Sequence, residues 1–211
     1  MPTPRRFARH IVLALAVAIL IGSRPARAQL NQHRREAIKP YFEEGLVPFF
    51  VLGDLNEDGK VDRKDRDLLA ELIKHPSSHV ASCPAAGDLD FNFKLDQKDL
   101  DRFDEWLAKG GVQTPALTFQ PTLPCQFKHL LVAARFDASP SETVPIRFLD
   151  ERLNTSNSRA TIVSGPASVE AASDNKGFIV TPEAAAKVGD IVTVLLNLRG
   201  HEYYYTFRLT P

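Results

Sequence analysis

Two stretches of this chain repeat one pattern of oxygen-bearing residues at one spacing. Asp54, Asn56, Asp58, Asp62 and Asp65 stand at positions 1, 3, 5, 9 and 12 of a loop, with Gly59 at position 6. Without a gap, 34 residues later, Asp88, Asp90, Asn92, Asp96 and Asp99 stand at the same positions. A calcium ion takes roughly six to eight oxygen ligands, and a twelve-residue loop supplies them from these places together with the backbone carbonyl at position 7. That carbonyl belongs to Lys60 in the first copy and to Lys94 in the second. The expected chemistry is therefore Ca2+ binding at two sites. In the first, Asp54, Asn56, Asp58 and Asp65 are direct ligands, and Asp62 acts directly or through water. Asp88, Asp90, Asn92, Asp96 and Asp99 take the matching places in the second. Without a cation the carboxylates of each loop repel one another, so metal binding contributes folding energy.

The copies differ at position 6, where the first has Gly59 and the second Phe93. The sharp turn there needs a left-handed backbone, which costs a bulky residue roughly 1–2 kcal/mol. The second loop is expected to be weaker, distorted or lost, with Phe91 and Phe93 packing against each other or against the strand half. Position 8 is apolar in both copies, and Val61 and Leu95 are expected to point inward and link the sites. Position 12 is Asp, so each loop closes around a shorter arm than Glu would give.

The elements that must hold these loops follow directly behind them. Arg63 to Lys74 carries Leu68, Leu69, Leu72 and Ile73 at helical spacing, and Gln97 to Lys109 carries Leu100, Phe103, Trp106 and Leu107. No helix is expected to enter either loop. Gly45 and Pro48 interrupt the approach to the first, and the run from His75-Pro76 to Cys83-Pro84 precedes the second. Two loop-helix units without entry helices resemble the dockerin type I domain, over about Leu52 to Lys109. The resemblance implies calcium at both loops, folding around that calcium, and docking onto a cohesin domain that ties secreted modules to a scaffold or cell surface. In cellulosomal dockerins, small hydroxylated residues at positions 10 and 11 help choose the cohesin. This chain has Arg63-Lys64 and Gln97-Lys98 there, so the implied partner, a cohesin-like or other surface protein, meets a more charged face.

The rest of the chain sets the frame. Arg5, Arg6 and Arg9 precede an apolar run from Ile11 to Ile21, and Ala26-Arg27-Ala28 follows. That is the pattern of a cleaved signal peptide over residues 1–28, too short to span a bilayer. A secreted, extracellular or periplasmic protein is expected, with no membrane insertion after cleavage. Residues 29–51 are expected to be an N-terminal helical segment and 52–110 the calcium module. Gly110, Gly111 and Pro115 mark a linker. Residues 115–211 hold β-rich runs at 130–136, 144–149, 177–181, 191–198 and 203–209, separated by turn residues. The last two runs are expected to form a hairpin at Gly200-His201. The fold class expected is α+β and multidomain: a small α-helical calcium module followed by an antiparallel β-sandwich. In strand pattern alone the second half resembles immunoglobulin-like modules.

Charge and cysteines narrow the function. The chain has 26 basic and 26 acidic side chains, and residues 1–28 hold five arginines and no acid, which leaves the processed part at net −5. Mild acidity without a basic patch argues against a nucleic-acid partner. After export, Cys83 and Cys125 are expected to form a disulfide closing a loop of 43 residues, worth about 4 kcal/mol in the chain-entropy model. No phosphate loop, nucleophile elbow or HExxH motif is present, so no enzymatic activity is expected. Tyr203-Tyr204-Tyr205 would suit either a sugar-stacking platform or the alternation of a hairpin strand, which leaves a polysaccharide partner open.

Overall fold

The computed structural model describes residues 39–119 and 130–211; the expected signal peptide, residues 29–38 and Cys125 lie outside them. After a helical turn at 39–43, strand β1 (Val47–Val51) leads into the first loop and helix α1 (Arg63–Lys74). A 3-10 turn (Pro84–Gly87) precedes the second loop and helix α2 (Gln97–Ala108). Nine further strands follow: β2 (Leu117–Thr118), β3 (Val132–Ala134), β4 (Asp137–Ala138), β5 (Val144–Phe148), β6 (Ser158–Ser164), β7 (Ala167–Ala171), β8 (Gly177–Pro182), β9 (Ile191–Leu198) and β10 (His201–Leu209). The protein is thus mostly sheet with few helices. Among the described residues no helix is long and apolar enough to cross a membrane.

The strands make two sheets, ordered β2-β1-β3-β5-β8-β7 and β4-β10-β9-β6. Every pairing is antiparallel except that of β10 with β4. Alternation decides which side chains meet, because successive residues of a strand point to opposite faces. In β9 and β10 it buries Val192, Val194, Leu196 and Leu198 with Tyr203, Tyr205, Phe207 and Leu209. These share one core with Val144, Ile146, Phe148 and Val180 of the other sheet. Phe49 of β1 meets Tyr205 edge-on across the layers, with ring centroids 5.3 Å apart. The expected closing hairpin is present, turning at Arg199 and Gly200. Since Tyr203 and Tyr205 are inside, only Tyr204 of the three tyrosines faces outward, and no three-ring platform exists.

Three local expectations need correction. Residues 47–51 are not helical but form β1, paired with β2 on one side and β3 on the other. Of the run expected as one strand at 130–136 only Val132–Ala134 is strand (β3, in the larger sheet), and β4 follows beyond it at Asp137–Ala138 in the smaller sheet. Four strands of the second half, β2, β4, β6 and β7, arise where none was expected. Each lies at the edge of its sheet, and an edge strand needs few apolar residues.

Strand β1 also serves a second core. Phe50 and Leu52 join Leu55, Leu69, Leu72, Leu89, Leu100 and Phe103, the inner faces of the two helices and their loops. Val61 packs against both cores. Residues 40–211 accordingly form one compact unit.

Candidate metal centre

The two loops are built by the same hydrogen bonds. In the first, Asp54 accepts from the backbone amides of Asp58 (3.1 Å) and Gly59 (2.9 Å). In the second, Asp88 accepts from those of Asn92 (3.1 Å) and Phe93 (3.0 Å). The position-12 carboxylates bind back across their loops. Asp65 Oδ1 accepts from Leu55 (2.9 Å) and Asn56 (3.1 Å), while Asp99 Oδ1 accepts from Leu89 (2.7 Å) and Asp90 (3.3 Å). Asn56 accepts from the Asp58 amide, as Asp90 does from that of Asn92. Asp58 accepts from the Lys60 amide, as Asn92 does from that of Lys94. One backbone path therefore carries both copies.

Each loop ends in a helix cap. Asp62 accepts from the Lys64 amide while Asp65 Oδ2 accepts from the Asp62 amide, and the pair closes a reciprocal capping box on α1. Asp96 and Asp99 do the same on α2. Two orphan amides of each helix are thereby satisfied. This second duty of Asp62, Asp65, Asp96 and Asp99 is legible from their spacing of three, but the ligand pattern hides it. The glycines before the loops are packed in parallel fashion. A Cβ on Gly53 would lie 2.7 Å from Val61 Cγ1, and one on Gly87 would lie 2.9 Å from Leu69 Cδ1 and 3.3 Å from Leu95 Cδ2. The apolar position 8 of each loop thus rests on the glycine that opens it. Val61 and Leu95 both pack against the helical core. Arg66 of α1 and Asp104 of α2 join the helices through two bonds of 2.8 Å.

Folding buries the anchoring acids. Asp65, Asp88 and Asp99 are 0 % exposed and Asp54 is 5 %. Burial pushes the Asp54 carboxyl up to about 7, with the charges of Asp65 and Asp58 adding and the Gly59 amide opposing. Burial also raises Asp65, Asp88 and Asp99 against the amides that hydrogen-bond them. Water-poor carboxylates near like charges are what a cation relieves.

One carboxylate oxygen from each of Asp88, Asp90 and Asp99 lies within 4.8 Å of the others, an arrangement that fits a metal ion. Two oxygens on one calcium ion, each about 2.5 Å from it, stand at most about 5 Å apart, so the separation suits a shared cation. In the first loop the residue at the place of Asp90 is Asn56, and the acidic triad found among the described residues is that of the second loop alone. Phe93 leaves the backbone path of the second loop undistorted. It takes the left-handed backbone that Gly59 takes, with φ of 65° against 84°. Phe91 and Phe93, expected to pack against each other or against the strand half, are 49 % and 52 % exposed and belong to neither hydrophobic core.

No protein-family model matches this chain, and neither a curated protein nor a solved structure matches it.

The side chains of Lys60 and Lys94, whose carbonyls occupy position 7, are exposed, as are Arg63, Lys64, Gln97 and Lys98. Cys83 is fully buried and is not a free thiol. Its expected partner Cys125 lies outside the described residues.

Proposed function

We propose that this chain is a secreted, non-catalytic calcium-binding adaptor, in which a dockerin-like pair of loops is fused to an immunoglobulin-like β-sandwich. The observation that carries the reading is the repetition, bond for bond, of an acidic loop and its capped exit helix, with Asp88, Asp90 and Asp99 gathered within 4.8 Å. All side-chain donors in both loops are hard oxygens, which favours calcium over the softer transition metals. Calcium at each loop would neutralise acids that folding has buried and lock the entry to its helix. The exposed residues at positions 10 and 11 of each loop, Arg63-Lys64 and Gln97-Lys98, would meet a cohesin-like or other surface protein. A disulfide from Cys83 to Cys125 would tie the strand half to the second loop.

A second reading is favoured by the place of β1. Because that strand belongs to both cores, calcium could serve to stiffen the whole unit without any docking partner.

Calorimetric titration of calcium into chelator-treated protein, residues 29–211, tests the common ground of both. Two sites are expected, one lost in Asp54→Ala and the other in Asp88→Ala. Heat of binding absent from the wild type overturns the proposal. Binding of a recombinant cohesin domain that needs calcium, and is lost in Arg63→Ser with Lys64→Ser, then separates the adaptor from the stiffened scaffold.

A further inference from the structure

The two loops serve as controls for each other. They share backbone path, hydrogen bonds and left-handed residues at positions 4 and 6, which are Glu57 and Gly59 in the first loop and Phe91 and Phe93 in the second. The fold therefore accepts a polar residue and a glycine at these places. Phenylalanine is worse for the isolated molecule on two counts. A bulky side chain is strained in the left-handed region, and both rings stand half in water, outside either hydrophobic core. Neither cost is offset by burial of the rings in either hydrophobic core.

The surroundings of the rings say what would receive them. The exposed residues of the second loop, between positions 88 and 99, are Phe91, Phe93, Lys94, Gln97 and Lys98: two aromatics, two cations and no acid. Its carboxylates are buried or half-buried and occupied by the loop's own amides. The first loop exposes Asp58, Gly59, Lys60, Arg63 and Lys64, with no aromatic. Two half-exposed phenylalanines offer roughly 200 Å² of apolar area, well short of the roughly 800 Å² per partner in a stable protein–protein contact. A lipid surface demands no complementary shape. It takes aromatic rings at the boundary of headgroup and acyl chain, and anionic headgroups attract nearby lysines.

We propose that the second loop is a membrane-contact tip, which places Phe91 and Phe93 in an anionic lipid surface with Lys94 and Lys98 against the headgroups. This goes beyond docking to a protein, and it uses the metal of the proposed function only to hold the loop in shape.

Co-sedimentation of residues 29–211 with vesicles of phosphatidylcholine and phosphatidylglycerol, and with phosphatidylcholine vesicles alone, tests it in calcium and in chelator. The comparison variant carries the first loop's own residues, Phe91→Glu with Phe93→Gly. Wild type is expected to sediment with the anionic vesicles at least tenfold better than the variant, while the variant still takes up calcium and melts at no lower temperature. Equal sedimentation of the two proteins, no sedimentation, or equal sedimentation on neutral vesicles overturns the inference. Self-association of the wild type without vesicle binding, lost in the variant, overturns it in favour of a second copy of the chain. Sedimentation that survives the chelator sustains the lipid contact while counting against calcium as its support. Calcium uptake by calorimetry with no vesicle binding does the reverse.

Discussion

Phe49 and Phe50 are neighbours in β1 and belong to different hydrophobic cores. Phe49 is buried with the sandwich and Phe50 with the helices and loops. A strand alternates its faces, so one short element can serve two layers at once. This makes β1 the mechanical link between the acidic loops and the sheets. Gly53, two residues beyond its end, lies against Val61, which touches both cores.

That link predicts a single unfolding transition in scanning calorimetry for the helical and the strand halves together. Phe50→Ala is expected to lower the stability of the whole unit by about 3–5 kcal/mol, the usual range for deleting a buried ring. Two separated transitions, with only the first moved by the substitution, would show the halves to be independent.

The position-12 acids should fail in a site-specific way. Asp65→Asn keeps one acceptor but sets a donor against the Asp62 amide, and Asp99→Asn does the same at Asp96. Each is expected to cost about 1–3 kcal/mol in the metal-free protein, as buried donors lose their partners. Calorimetry should show each variant retaining one calcium site, the one in the untouched loop.

Phe93→Gly should stabilise. The residue holds φ at 65° and is half-exposed, so glycine relieves backbone strain and gives up little packing. An increase of about 1 kcal/mol in unfolding free energy is expected, the strain of roughly 1–2 kcal/mol less part of the entropy that glycine loses on folding. Urea denaturation of the two proteins decides it, and a loss of stability would mean the ring makes contacts that matter to the fold.

Acid should stabilise the chelated protein. Burial lifts the Asp54 carboxyl from 3.8 to about 7, so its protonated form favours the folded state. That contribution is fully present below the unfolded value and is lost as pH rises through about 7. Asp65, Asp88 and Asp99 are raised in the same direction. The metal-free protein is therefore expected to melt lower at pH 8 than at pH 5.5. Calcium needs deprotonated ligands, so the rise in melting temperature on adding it should be larger at pH 8. Melting curves at the two pH values, with and without calcium, check both signs.

The loops and their exit helices are legible in sequence because each depends on residues close together along the chain. The spacing of the Asp and Asn residues sets the turns, Asp62 and Asp96 cap the helices, and the expected start of each helix is the observed one. Strand β1 is not legible for a physical reason. Both of its faces are buried, so the run from Leu46 to Leu52 shows no alternation and reads equally as helix or strand. The edge strands β6 and β7 fail in the opposite way, since they bury too little to show a pattern. Phe93 misleads because the cost of a left-handed residue is visible in sequence, whereas the hydrogen bonds to Asp88 and Asp99 that hold the loop around it are not.

The place of β1 in chain order also bears on how the molecule is made. Phe49 pairs in register with Val132, and Phe50 with Thr118, so the strand meets both neighbours only after the two loops and both helices have been synthesised. Until then its hydrogen-bonding edges are bare, and such edges invite pairing with other chains. Long-range pairing of this kind is slow to form. The first half can wind its helices as it emerges, yet it cannot seal its own core until the polypeptide is nearly two-thirds complete. A chain interrupted in the linker near residue 115 would be left with a strand that has nowhere to go.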